Sequence, residues 1–148
     1  MRGRRKIPED LQLRIREHAR YLCEYCHAAE QWQYVRFTVD HIIPHSQGGT
    51  DDVDNLCLAC FHCNRRKSAS TNAIDPKTNT SVPLFHPRHD RWNDHFRWSE
   101  NKLSVVGITA TGRATVGLLE LNRERVLRIR AADFLIGRHP PHHDAVTT

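Results

Sequence analysis

At 148 residues the chain is long enough for one compact domain with a modest core and too short for two ordinary ones. Lys and Arg number 22 against 17 Asp and Glu, a formal charge of +5 with a pI near 9.2, which favours a polyanionic partner. No apolar run approaches the roughly 20 residues that cross a bilayer, and Met1-Arg2-Gly3-Arg4-Arg5-Lys6 leads into Pro8-Glu9-Asp10 instead of an apolar signal core, so a soluble, cytoplasmic protein with no membrane partner is expected.

Residues 1–7 read as a basic arm. From Pro8 to Leu22, the residues Leu11, Ile15, Ala19 and Leu22 recur at helical spacing, and Glu9 and Asp10 suit the positive end of a helix dipole. This helix delivers the chain to Cys23. From Tyr34 to Asp40, Val35, Phe37 and Val39 alternate with Arg36, Thr38 and Asp40, the period of a half-buried strand with Asp40 on its polar face. Pro44 to Asp52 is turn chemistry, after which Asn55 to Ala59 reads as a return strand, and a helix is expected near Asn64. Thr71 to Ser81 lacks apolar periodicity and contains Asp75-Pro76, so it reads as a surface crossing. Phe96-Arg97-Trp98 and Leu103 to Ile108 flank Ser99 to Lys102 as a hairpin. Two helices follow, about Arg113 to Leu121 and Arg123 to Leu135, before a Pro- and His-bearing tail.

Five cysteines are an odd number, which argues against a secreted disulfide framework. Cys23-Glu24-Tyr25-Cys26 and Cys60-Phe61-His62-Cys63 each let a tight turn present two thiolates to one ion. Together they make a closed, structural four-cysteine zinc site. Cys57, in Cys57-Leu58-Ala59-Cys60, forms an overlapping pair, but on a strand it reads as a small buried apolar residue and is left out of the site. His27 and His62 read as surface histidines beside the knuckles.

The order, spacing and residue types of Cys23-x-x-Cys26, Asp40-His41-Ile42-Ile43-Pro44, Gly48-Gly49, Asp54-Asn55-Leu56 and Cys60-x-x-Cys63-Asn64-x-x-Lys67 resemble the HNH endonuclease family in its cysteine-flanked form. A weaker resemblance joins Pro87-Arg88, Trp92, Asp94-His95-Phe96, Gly112 to Val116 and Leu121-Asn122-Arg123 to the C-terminal extension of small free-standing bacterial members. The resemblance implies an α+β fold: a ββα-metal core with a structural zinc knuckle pair, followed by a hairpin and helices. The units are then a basic arm (1–7), the nuclease core with its zinc staple (8–70), a packed C-terminal extension (71–136) and a flexible tail (137–148).

The same resemblance implies the chemistry. His41 matches the general base, and Asp40 and Asn64 match the ligands of one catalytic divalent ion seated in the minor groove of a nucleic acid. Both ligands offer oxygen, which suits Mg²⁺ or Mn²⁺ better than zinc. Asn55 matches the Asn that holds the loop and orients the His41 strand, and Gly48 and Gly49 supply turn freedom. The third motif position is Asn64 where many members have His, so the chain reads H-N-N. Arg36, Arg65, Arg66 and Lys67 are the expected phosphate contacts.

The function expected is therefore phosphodiester hydrolysis of nucleic acid, with double-stranded DNA the first choice, one structural Zn²⁺ and one catalytic Mg²⁺ or Mn²⁺. A catalytically silent zinc-dependent nucleic-acid-binding module is the alternative. A zinc adaptor for a protein partner is a third reading if Trp32, Trp92 and Trp98 are exposed. Asp94-His95, lying among Trp92, Phe96 and Trp98, reads as part of a packed aromatic segment rather than a second catalytic pair. The sequence leaves oligomeric state and target sequence open.

Overall fold

The computed structural model describes residues 6–142 and residue 144, so most of the basic arm and much of the tail lie outside the described residues. The first helix, α1 (Glu9–His18), starts at Pro8 with Glu9 and Asp10 in its first turn, and it buries Ile15. It ends one turn short of the expected Leu22, because Arg20 and Tyr21 both take positive φ. Leu22 then bridges Ala29, closing a tight loop that carries Cys23 and Cys26.

Strand β1 (Thr38–His41) pairs antiparallel with β2 (Leu56–Ala59), with Asp40 opposite Cys57 and His41 opposite Leu56. The strand is shorter than the alternation predicts. Tyr34 and Val35 are exposed, because β2 offers only four residues to pair with, and just Phe37 of the preceding segment is buried. Entry to β1 is fixed instead by Glu30, whose carboxylate accepts from Phe37 N at 2.7 Å. Arg16 ties this down by donating to Glu30 and, at 2.6 Å, to the Phe37 carbonyl.

All four residues of β2 are buried. Helix α2 (Phe61–Lys67) follows at once, earlier than the expected start near Asn64, since the Cys60 thiol caps it by accepting from Cys63 N at 3.3 Å. The hairpin and helix make a ββα unit.

The segment read as a surface crossing is in fact a hairpin, β3 (Asn72–Asp75) with β4 (Thr80–Pro83). Its turn is organised by Asp75, a fully buried carboxylate that accepts from Lys77 N and Thr78 Oγ1. Across the fold, Arg113 grips the same carboxylate with Nε and Nη2, each at 2.9 Å. Those bonds hold the Asp75 carboxyl well below the usual carboxylate range. A depressed carboxyl stabilises the fold above its unfolded pKa of about 4, and the contribution fades as pH falls through the folded value. Arg113→Ala should therefore lower the Tm at neutral pH, with a gap from wild type that narrows as pH drops below about 4. A gap independent of pH would assign the loss to packing alone.

The remaining chain forms a one-turn helix α3 (Trp92–His95), the expected hairpin β5 (Phe96–Trp98) with β6 (Val105–Gly107), and helices α4 (Ala110–Leu119) and α5 (Glu124–Leu135). Helix α4 begins a turn earlier than expected, where Thr109 Oγ1 accepts from Gly112 N. Phe85, Trp92, Phe96, Leu119 and Leu121 share one core with Tyr25, Leu56, Cys57 and Leu58. Polar ties fasten the same junction: Trp92 Nε1 donates to the Tyr25 carbonyl, and Arg88 forks onto Glu24, which also accepts from Leu58 N. Within the tail, Asp144 is buried, its carboxylate between His27 Nδ1 and Trp98 Nε1. The fold is thus mixed α+β, with three short antiparallel strand pairs among the described residues. Among the described residues no helix is long and apolar enough to cross a membrane.

Candidate functional site

The loop after α1 and the start of α2 bring Cys23, Cys26, Cys60 and Cys63 together, with all four sulfur atoms within 4.8 Å of one another. All four are buried. Cys26 Sγ lies 3.8 Å from Cys60 Sγ, which matches the edge of a tetrahedron with zinc–sulfur bonds of about 2.3 Å. The donor set therefore fits one Zn²⁺ and leaves no open position. Cys57 stands outside the cluster. Its thiol donates to Tyr25 Oη at 3.6 Å, and burial pushes it well above the usual thiol range, so it stays neutral. His27 and His62 are also elsewhere, since His62 Nε2 meets the Leu119 carbonyl and His27 meets Asp144.

The second cluster lies where β1 faces α2. Asp40 and His41 are neighbours on β1, and the Lys67 ammonium is 3.3 Å from Asp40 Oδ2 and 3.2 Å from the His41 carbonyl. Lys67 is only 2% exposed. The structure thus puts it in the interior, although its place in a basic helix suggested a phosphate contact. Asn64 is half-buried on α2. Residues three apart share a helix face, so Asn64 lies on the side of α2 that carries Lys67.

The loop between the strands is pinned by Asn55, which is 6% exposed. Its Oδ1 accepts from Ile43 N at 2.8 Å, and its Nδ2 donates to the Ile43 and Thr50 carbonyls at 2.9 and 2.8 Å. With Ile42 N bonded to the Asn55 carbonyl, these bonds fix the chain immediately after His41. Gly48 takes a φ of +88°, and a Cβ on Gly49 would sit 1.7 Å from the Ile43 carbonyl oxygen. Gly49→Ala should force the loop apart at a cost of about 1–3 kcal/mol, read as a lowered Tm with zinc retained. An unchanged Tm would show that the loop yields freely.

That fold-back also brings in Asp51, which the sequence reading missed. His41 Nε2 is 2.6 Å and His45 Nε2 2.8 Å from the same oxygen, Asp51 Oδ1. The two hydrogen bonds hold the Asp51 carboxyl below its usual range. An ionised carboxylate only accepts, so each histidine must carry its hydrogen on Nε2. In the neutral His41 ring the lone pair left to take a proton is then the one on Nδ1. The available signal was the Gly48-Gly49 turn, which doubles the chain back and sets residue 51 beside residue 41.

Of the expected phosphate contacts, Arg36 and Arg65 are exposed, and Arg65 lies over the Phe61 ring at 5.8 Å. Arg66 is exposed but engaged, donating to the Leu118 carbonyl and pairing with Glu120 at 3.1 Å. Trp92 and Trp98 are buried, and Arg138 covers the partly exposed Trp32, so the three tryptophans do not form the exposed surface a protein adaptor would need. His95 Nδ1 meets Thr109 Oγ1 beside the Phe85 and Phe96 rings, a packing role.

Residues 23–70 match the family model described as HNH endonuclease. No characterised protein and no solved structure matches the chain significantly.

Proposed function

We propose that this chain, whose residues 23–70 match the HNH endonuclease family model, is a metal-dependent nuclease that hydrolyses phosphodiester bonds, with double-stranded DNA as its first substrate. The observation that carries this reading is the adjacency of Asp40 and His41 on β1, facing the helix that bears Asn64, behind a loop tied by Asn55. Asp40 and Asn64 would hold one Mg²⁺ or Mn²⁺, and their carboxylate and amide oxygens fit such a hard cation. When bound, the ion neutralises charge on the scissile phosphate and the leaving 3′ oxygen.

His41 acts as general base. Asp51 keeps hydrogen on Nε2 and so leaves Nδ1 to take the proton from the attacking water. Asn55 positions the histidine by fixing the backbone just beyond it. Lys67, facing Asp40 Oδ2, balances the charge of a half-buried carboxylate and sets its direction. Arg36 and Arg65 are the surface cations for the phosphate backbone, which gives salt-sensitive binding with little sequence preference. The four-cysteine zinc is structural. All five cysteines are free of disulfides, in keeping with a reducing, cytoplasmic setting.

The test is cleavage of supercoiled plasmid by zinc-loaded protein in Mg²⁺ or Mn²⁺, read beside a gel shift. Nicked or linear product that disappears when both ions are withheld is expected. A gel shift without product under any divalent ion would leave a nucleic-acid-binding module in place of a nuclease.

A further inference from the structure

We propose that His41, His45 and Asp51 form a second metal site, selective for Zn²⁺ or a similar borderline cation, whose occupation switches the nuclease off. Each side chain offers one ligand atom, and the three atoms lie within 4.8 Å of one another. Two imidazole nitrogens and one carboxylate oxygen, with a fourth position open, are a common zinc donor set. They differ from the thiolate cage, which is closed, and from Asp40 and Asn64, whose oxygens suit harder ions.

The geometry is close to what zinc needs. Tetrahedral bonds of about 2.0–2.1 Å set neighbouring ligand atoms roughly 3.3 Å apart. The present 2.6 and 2.8 Å separations are those of hydrogen bonds, and opening them by about half an ångström or slightly more would admit the ion. Asp51, its side chain 38% exposed, can supply the movement for the first separation, and His45, 45% exposed on the short 3-10 turn His45–Gln47, that for the second.

The inhibitory consequence follows from the His41 tautomer, and this part rests on the reading of His41 as the general base. With Asp51 as its partner, His41 carries hydrogen on Nε2 and a lone pair on Nδ1. A zinc ion on Nε2 takes that nitrogen's lone pair, so the ring proton moves to Nδ1, with no net gain or loss of protons. The atom that would accept the proton of water is then itself protonated. Mg²⁺, a poor partner for imidazole, leaves the tautomer alone.

The experiment titrates untagged protein, its cysteine cage already filled, with further Zn²⁺. A second equivalent is expected in the wild type. His45→Ala and Asp51→Asn, each made singly, should bind it at least about 10–100-fold more weakly, since a direct ligand matters at least as much as an outer-shell one. Imidazole nitrogen NMR should show His41 moving from hydrogen on Nε2 to hydrogen on Nδ1 as zinc is added. Plasmid cleavage in Mg²⁺ should fall with added zinc in the wild type. The zinc-free to zinc-treated activity ratio of His45→Ala should stay near one at the same zinc concentration. A wild type with no second equivalent, or a second equivalent that survives both variants, would overturn the site. Zinc bound at these residues with cleavage undiminished would overturn the inhibition. Should the chain cut nothing under any ion, the nuclease reading falls, while stoichiometry and tautomer still decide this one.

Discussion

Replacing His41 with alanine is expected to lower plasmid cleavage by about 10²–10⁴-fold, the usual worth of a positioned general base. Zinc content and the circular dichroism spectrum should stay at wild-type values. The fold has little reason to notice the change: the His41 backbone remains paired with Leu56 and the loop remains tied by Asn55. The ring meets Asp51 and His45, both partly exposed. Near wild-type turnover in Mg²⁺ would remove His41 from the reaction. Asp40 is a less clean test, because Asp40→Ala strands the buried Lys67 ammonium, and breaking one side of a buried ion pair typically costs about 3–5 kcal/mol. A loss of activity there could reflect unfolding as easily as a lost ligand.

Cys23→Ser and Cys63→Ser should each release zinc and unfold the chain. Structural zinc contributes an apparent 10–16 kcal/mol in small zinc modules, roughly the whole stability of an ordinary domain, about 5–15 kcal/mol. Here the cage joins two distant segments, and its sulfur atoms belong to the core itself. Cys57→Ser should keep one zinc per chain, because its sulfur faces Tyr25 and not the cage. Elemental analysis decides the matter. Zinc lost from Cys57→Ser and kept by Cys60→Ser would mean that the ligand register is shifted by one pair.

The elements legible in the sequence are those whose signal is local. Paired Cys-x-x-Cys turns, the aromatic hairpin of Phe96 to Trp98 and the two longer helices of the second half all declare themselves within a few residues. What escaped depends on partners far along the chain. The β3–β4 hairpin is polar, and its turn is organised by a buried Asp75 whose main partner, Arg113, lies on α4. No periodicity records such a bond. Lys67 reads as one more cation in a basic run, and only the packing of α2 on β1 turns it inward to Asp40. Val35 obeys the alternation of a strand yet stays outside, because strand length is set by the four residues that β2 has to offer. Asp51 reads as a turn former until the loop closes and sets it against two histidines.

The junction of Glu24, Arg88, Tyr25 and Trp92 bears on how portable the family-matched region is. The family match stops at residue 70, yet the knuckle loop relies on residues beyond it: Arg88 neutralises Glu24, and Trp92 satisfies the Tyr25 carbonyl. Cut after residue 70, the chain would expose the faces that Phe85, Trp92 and Phe96 now cover and would leave Glu24 half-buried without its counter-charge. The recognisable motif is therefore not a module that could be grafted elsewhere or inherited alone; recombination that preserves function has to carry the second half with it.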